Sequence, residues 1–404
     1  MDPVRRQYEA YPYPERDPAD EARRLVEGSP SHPVEIDHFL FAGRRDWSRP
    51  FRALVAGGGT GDGLIMLAQK LADIRAPAEI TYIDLAQASR AVAEARAAAR
   101  NLSSIRFVTG DLLEAPALGP FDYIDCCGVL HHLPDPDAGF RALAQALAPG
   151  GGIGLMVYAP YGRTGVYPMQ GALARLLGGD PPGEKVRLAR TVLEALPQTN
   201  WFRKNDLVGD HRASDAGLHD LLLHARDRPY TVGALAAALE RAGLGLVSFV
   251  EPARYDPLRY LPQSPGIAER VNALAPLDRA ALAEELAGNL KTHVLYAARP
   301  GEAAEARPTT PEAVPHLRAV APAALSRHVA GKGAVPVTTD GLRHVMDMPR
   351  SAAPLIALID GRRPLGEIAA AARLDWLAFA AAWAPVHRAL TGFNFLHYSR
   401  RARR

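Results

Sequence analysis

Five glycines crowd into Gly57-Gly58-Gly59-Thr60-Gly61-Asp62-Gly63, directly after the apolar run Phe51–Ala56. A glycine-rich turn between a strand and a helix can bend sharply and let a ligand lie against its backbone. The spacing selects among ligands. A dinucleotide fingerprint needs a third glycine where this chain has Asp62, and a P-loop needs a Gly-Lys-Ser/Thr ending that is absent here. What remains is Gly57-x-Gly59-x-Gly61. A second group with chemical capacity is His131-His132, inside Val129-Leu130-His131-His132-Leu133-Pro134. A neutral imidazole is suited to take a proton from an O–H or N–H group near pH 7. A third is the set His211, Asp215, His219, Asp220 and His224. Asp215 and His219, four apart, share a helical face, but the set matches no metal-ligand signature, and no metal is expected.

The elements that must position these residues alternate strictly from residue 51 to about 158. Strands are expected at 51–56, 79–84, 105–109, 121–127 and 152–158. Leu64, Leu67, Ala68 and Leu71 follow the glycines at helical spacing, and an Ala-rich helix is expected over 88–100. A helix over 138–147 is expected to stop at Pro149-Gly150-Gly151. The rhythm breaks between 159 and 229, where aromatic and polar residues gather. It resumes with a helix at 231–242 and a strand at 244–250, and a last strand at 293–298 follows a second irregular stretch. Such alternation implies an α/β, doubly wound, mostly parallel sheet of seven strands.

With the glycine triplet after strand one, Asp84 ending strand two and Asp111 following strand three, residues 50–300 resemble the class I (seven-strand, Rossmann-like) S-adenosylmethionine-dependent methyltransferases. The resemblance implies an antiparallel last strand and S-adenosyl-L-methionine as cofactor. It implies that Gly57, Gly58, Gly59 and Gly61 wrap the cofactor. Asp84, with Leu85 beside it, would accept both ribose hydroxyls, a task a carboxylate suits. Asp111 would accept from the adenine amino group while the backbone of Leu112 reads the ring. Gly128 would lie beside the cofactor, with His131 and His132 as candidate bases. Tyr11, Tyr158, Tyr161, His211 and Tyr230 are substrate-side candidates. One departure stands out: the family places an acid two residues before the first glycine, and this chain has Val55.

The 404 residues divide into an N-terminal lid or helical segment (1–50), a methyltransferase domain (51–300) with insertions at about 159–229 and 252–290, a linker (301–315) and a small, mainly helical C-terminal domain (316–404) that resembles a winged-helix module. The tail 399–404 is expected to be disordered. A net charge of +3 does not suggest a nucleic-acid binder, and the base-methylating Pro-Pro-aromatic and Pro-Cys motifs are missing, so DNA is an unlikely partner. No apolar run reaches the ~18 residues of a membrane span. The adjacent Cys126 and Cys127 read as reduced thiols of a cytoplasmic protein. The expected function is direct methyl transfer to an O or N nucleophile of a small molecule or a protein, with a second copy of the chain as a candidate partner. The alternative is a non-catalytic adenosyl-ligand scaffold or sensor.

Overall fold

The computed structural model describes residues 2–400. Its centre is β1 (Phe51–Ala56), whose side chains are buried on both faces except at Arg52, as a strand covered by helices on each side must be. Six further strands join it: β2 (Ala78–Asp84), β3 (Ile105–Thr109), β4 (Phe121–Cys127), β5 (Leu147–Tyr158), β6 (Gly245–Phe249) and β7 (Thr292–Ala298). Their order across the sheet is β3-β2-β1-β4-β5-β7-β6. β7 runs antiparallel to both neighbours, and the other pairings are parallel. The doubly wound sheet with an antiparallel last strand is therefore as expected.

Alternation along the strands supplies two cores. Leu54, Ile83, Ile124, Cys126 and Leu155 pack with Phe140, Leu143, Leu235 and Leu239 from the helices Pro136–Ala146 and Val232–Arg241. Ala53, Val55, Tyr82, Tyr123 and Tyr296 pack on the other face with Leu64, Leu67 and Leu71 from the helix Asp62–Asp73, and with Ile36 and Phe39 from the helix Pro33–Leu40. The chain reverses its direction of winding between β1 and β4, which opens a crevice at the carboxyl ends of these strands.

Two local expectations are corrected. Pro149-Gly150-Gly151 does not follow a helix stop; the helix ends at Ala146 and β5 begins at Leu147. The register shifts from Phe121↔Leu147 to Tyr123↔Gly152, and the intervening residues form an irregularity that Gly150 permits with φ +73°. Ser399 and Arg400 are also pinned rather than loose: the Ser399 N–H donates to Val314 O at 3.0 Å and the Arg400 N–H to Gly43 O at 2.8 Å. The rest of that tail, 401–404, lies outside the described residues.

The C-terminal part has its own core, including Val329, Met346, Ile356, Ile368, Phe379, Trp383 and Leu390. Besides the helices over Ala353–Ala357, Leu365–Ala371 and Trp376–Thr391, it contains a helix at Pro322–Lys332 and a hairpin of Ala334–Thr339 with Leu342–Asp347. It is joined to the N-terminal segment by polar contacts around the buried Glu35. Arg318 pairs with Glu35 and donates to Gly28 O at 2.9 Å, while Asn394 donates to Ser29 Oγ at 3.0 Å.

Candidate functional site

A cavity of about 670 Å³ lies over the carboxyl ends of β1–β5. The glycine loop forms its floor, and side chains explain its composition. A Cβ on Gly58 would stand 2.4 Å from the Tyr82 ring, and one on Gly57 would stand 2.4 Å from Val129 Cγ2. Gly61 does not line the cavity. With φ +98° it starts the following helix, packed on Ala93.

Asp84 lines the cavity next to this loop. Its Oδ2 accepts from Gly59 N–H and its Oδ1 from Ala86 N–H, at 2.8 and 2.9 Å. Each oxygen keeps a lone pair, so the pair can still meet two vicinal hydroxyls. Burial pushes its carboxyl above the usual value, opposed by those backbone bonds. Asp111 accepts from Leu113 N–H at 2.9 Å in a capping box with Glu114 and lines the cavity. Leu85, Leu112 and Gly128 complete this wall. The acceptor set fits an adenosine: two acid groups, Asp84 and Asp111, at successive strand ends beside a glycine floor.

The N-terminal segment roofs the cavity. Tyr8 and Tyr13 line it; Thr60 Oγ1 donates to Pro14 O at 2.6 Å, and Arg16 grips Asp62 at 2.6 and 2.8 Å. Glu9 accepts from Gln87 and Ala88 N–H at the start of the helix Gln87–Ala99, clamping the first helix (Pro3–Ala10) there.

At the far end, His132, Asp220 and Tyr158 meet Tyr8. The Tyr8 hydroxyl donates to Asp220 Oδ1 at 2.9 Å and the Tyr158 hydroxyl to Asp220 Oδ2 at 3.1 Å. Burial raises both phenols, so both stay protonated and donate. His132 Nδ1 lies 2.6 Å from Arg226 O and must carry the proton there, because a carbonyl only accepts. Its Nε2 is left with a lone pair. Burial pushes this imidazole below its ordinary value, and Asp220 opposes the shift in part.

His132, Asp220 and His224 bring their ligand atoms within 4.8 Å of one another. The hydrogen bonds argue against a metal. His224 Nδ1 accepts from Arg226 N–H at 3.0 Å, so in the neutral ring its Nε2, facing Tyr8 at 3.2 Å, carries the proton and cannot ligate. Burial holds that ring neutral.

Other candidates fall elsewhere. His131 is fully buried behind His132 and Tyr158 and does not line the cavity. Tyr11 stacks on His219 (ring centroids 5.2 Å apart), His211 leans on Phe202, and Tyr161 and Tyr230 also lie outside the cavity lining. Tyr8, readable from the sequence as a tyrosine of a segment folding over the cofactor, does line the cavity; Asp125 was not singled out in the sequence. Asp220 had been grouped with its helix neighbours, and only the fold brings it to His132.

A methyltransferase-domain family model matches residues 54–153. An uncharacterised protein of Synechococcus sp. is 33% identical over 294 residues, covering 69% of this chain and 67% of that protein. A ubiquinone biosynthesis O-methyltransferase of Albidiferax ferrireducens is 35% identical over 95 residues, 23% of this chain and only 36% of that enzyme. Among solved structures, PKMT2 from Rickettsia typhi is similar in fold, with a TM-score of 0.62 and 12% identity over 91% of this chain and 75% of that one; it is also known in complex with AdoHcy. Fold, strand-end residues and the methyltransferase-domain match agree: the chain is a class I S-adenosylmethionine-dependent methyltransferase, with S-adenosylmethionine as its cofactor.

Proposed function

We propose that this enzyme methylates an O–H or N–H nucleophile of a small molecule or protein, with His132 as the base. The observation that carries this reading is the fixed tautomer of His132, whose Nδ1–H is held by Arg226 O while Nε2 is free to take a proton in the cofactor's own cavity. S-adenosylmethionine supplies an electrophilic methyl group on sulfur. The chain's residues orient the acceptor, exclude water and receive its proton. Asp220, held by two tyrosine hydroxyls, fits an acceptor group that brings hydrogens to donate. Arg163 stabilises that corner, stacked 3.7 Å over the Tyr158 ring and paired with Asp227 at 3.0 Å.

The division of the chain is part of the same reading: 1–50 is an N-terminal segment whose part up to Ser31 lines the site while Pro33–Leu40 packs on the sheet, 51–300 hold the site, 301–315 connect and 316–404 are the appended domain. No helix among the described residues is long and apolar enough to cross a membrane. The two free cysteines support a cytoplasmic location. The test is to incubate the protein with methyl-labelled cofactor and fractionated lysate. Label should enter one acceptor fraction with wild type and fall about 10²–10⁴-fold with His132→Gln. Equal labelling by the variant would remove His132 as base.

A further inference from the structure

S-adenosylmethionine ends in an amino acid whose α-ammonium must find an acceptor, since a buried unpaired cation is costly. Val55, two residues before the glycines, offers none. Most carboxylates along the cavity are already committed. Asp62 is paired with Arg16 and Arg96, Asp2 with Arg226, and Asp84 and Asp111 accept backbone N–H groups. Asp220 is held by two tyrosines at the His132 end.

Asp125 differs. It is 4% exposed, lines the cavity, and has neither a cation nor a backbone N–H as partner among the described residues; the Ser31 hydroxyl and the Cys127 thiol are its contacts. Its position is directed by the sheet. Asp125 on β4 pairs in register with Val55 on β1, and register partners on neighbouring strands face the same side. A second observation fixes where its carboxylate reaches. Gly63 lies inside the helix Asp62–Asp73, where glycine is unfavourable, and its φ needs no glycine. A Cβ there would stand 2.6 Å from Asp125 Oδ2. The glycine keeps that volume clear for the carboxylate, beside the positive end of the helix.

We infer that Asp125 holds the α-ammonium of S-adenosylmethionine, taking from the neighbouring strand the place that Val55 leaves without a charge. Ser31 orients it from the N-terminal segment and is itself 3.1 Å from the Tyr123 hydroxyl. The inference rests on S-adenosylmethionine being the cofactor.

The test is calorimetry with S-adenosylmethionine and with 5′-methylthioadenosine, which shares the nucleoside but has no amino-acid end. Asp125→Asn should bind S-adenosylmethionine at least tenfold more weakly than wild type and 5′-methylthioadenosine equally well. Unchanged binding of S-adenosylmethionine, or an equal loss for both compounds, overturns the assignment. If wild type binds neither compound, the cofactor reading fails instead. Should the variant not fold, wild type alone decides. It should bind S-adenosylhomocysteine at least tenfold more tightly than the analogue lacking the α-amino group; equal binding overturns the assignment.

Discussion

Gly58→Ala is the smallest change that should damage the cofactor floor. The added Cβ would lie 2.4 and 2.6 Å from two carbons of the Tyr82 ring and 3.0 Å from Val55 Cγ1, where ordinary contact begins at 3.4 Å. The ring must therefore retreat by about 1 Å, the difference between 3.4 and 2.4 Å. It has little room, being fully buried and packed on Phe107 with ring centroids 5.3 Å apart. Its hydroxyl donates to Gly59 O at 2.6 Å, and Gly59 N–H in turn donates to Asp84. Overpacking of this kind costs about 1–3 kcal/mol, and the loss of the tyrosine bond adds about 1 kcal/mol. Where that strain falls on the loop, affinity for S-adenosylmethionine drops roughly 10- to 100-fold, at about 1.4 kcal/mol per factor of ten. Calorimetric titration of wild type, Gly58→Ala and Tyr82→Phe separates the steric part from the hydrogen bond. Adding Tyr82→Leu to Gly58→Ala should recover part of the affinity. A folded Gly58→Ala protein that binds within twofold of wild type would refute the reasoning.

Two further outcomes follow from charge. Because burial lowers His132 below 6.5 and only the neutral ring accepts a proton, the transfer rate should be flat above neutrality and fall as pH drops through that lowered value; an acid limb that persists in His132→Gln would assign it to another group. Arg318 is the cation of the fully buried Glu35, whose carboxyl burial pushes upward. Arg318→Ala should cost about 3–5 kcal/mol of stability in denaturant titrations, with much of it restored by adding Glu35→Gln; no recovery in the double variant would show that the loss is not electrostatic.

The sheet was legible because its signals are local. Short apolar runs located all seven strands, and the three strand-end marks at Gly57, Asp84 and Asp111 converge on one cavity because the topology makes those ends adjacent. Four features escaped the sequence. Pro149-Gly150-Gly151 reads as a stop, yet the pairing of β4 with β5 overrides it and absorbs the glycines as a strand irregularity. In the C-terminal domain the hairpin turn Asp340-Gly341, both residues at positive φ, was a readable signal that the surrounding helical patterns obscured. Asp125 was hidden for a different reason. Within β4 it reads as one polar residue of a strand, and its meaning appears only through the cross-strand register with Val55 and the missing Cβ of Gly63. The union of Tyr8, His132 and Asp220 likewise depends on contacts between residues more than 80 positions apart in the chain.

In this reading the crevice between β1 and β4 binds the adenosyl cofactor through the strand-end acid Asp84. Titrating the wild-type protein and Asp84→Ala with S-adenosylmethionine by calorimetry tests it most directly. Saturable binding at one site per chain is expected, weakened at least tenfold by Asp84→Ala with the fold intact by circular dichroism. A wild-type protein that does not bind, or a folded Asp84→Ala variant that binds as well as wild type, would contradict it.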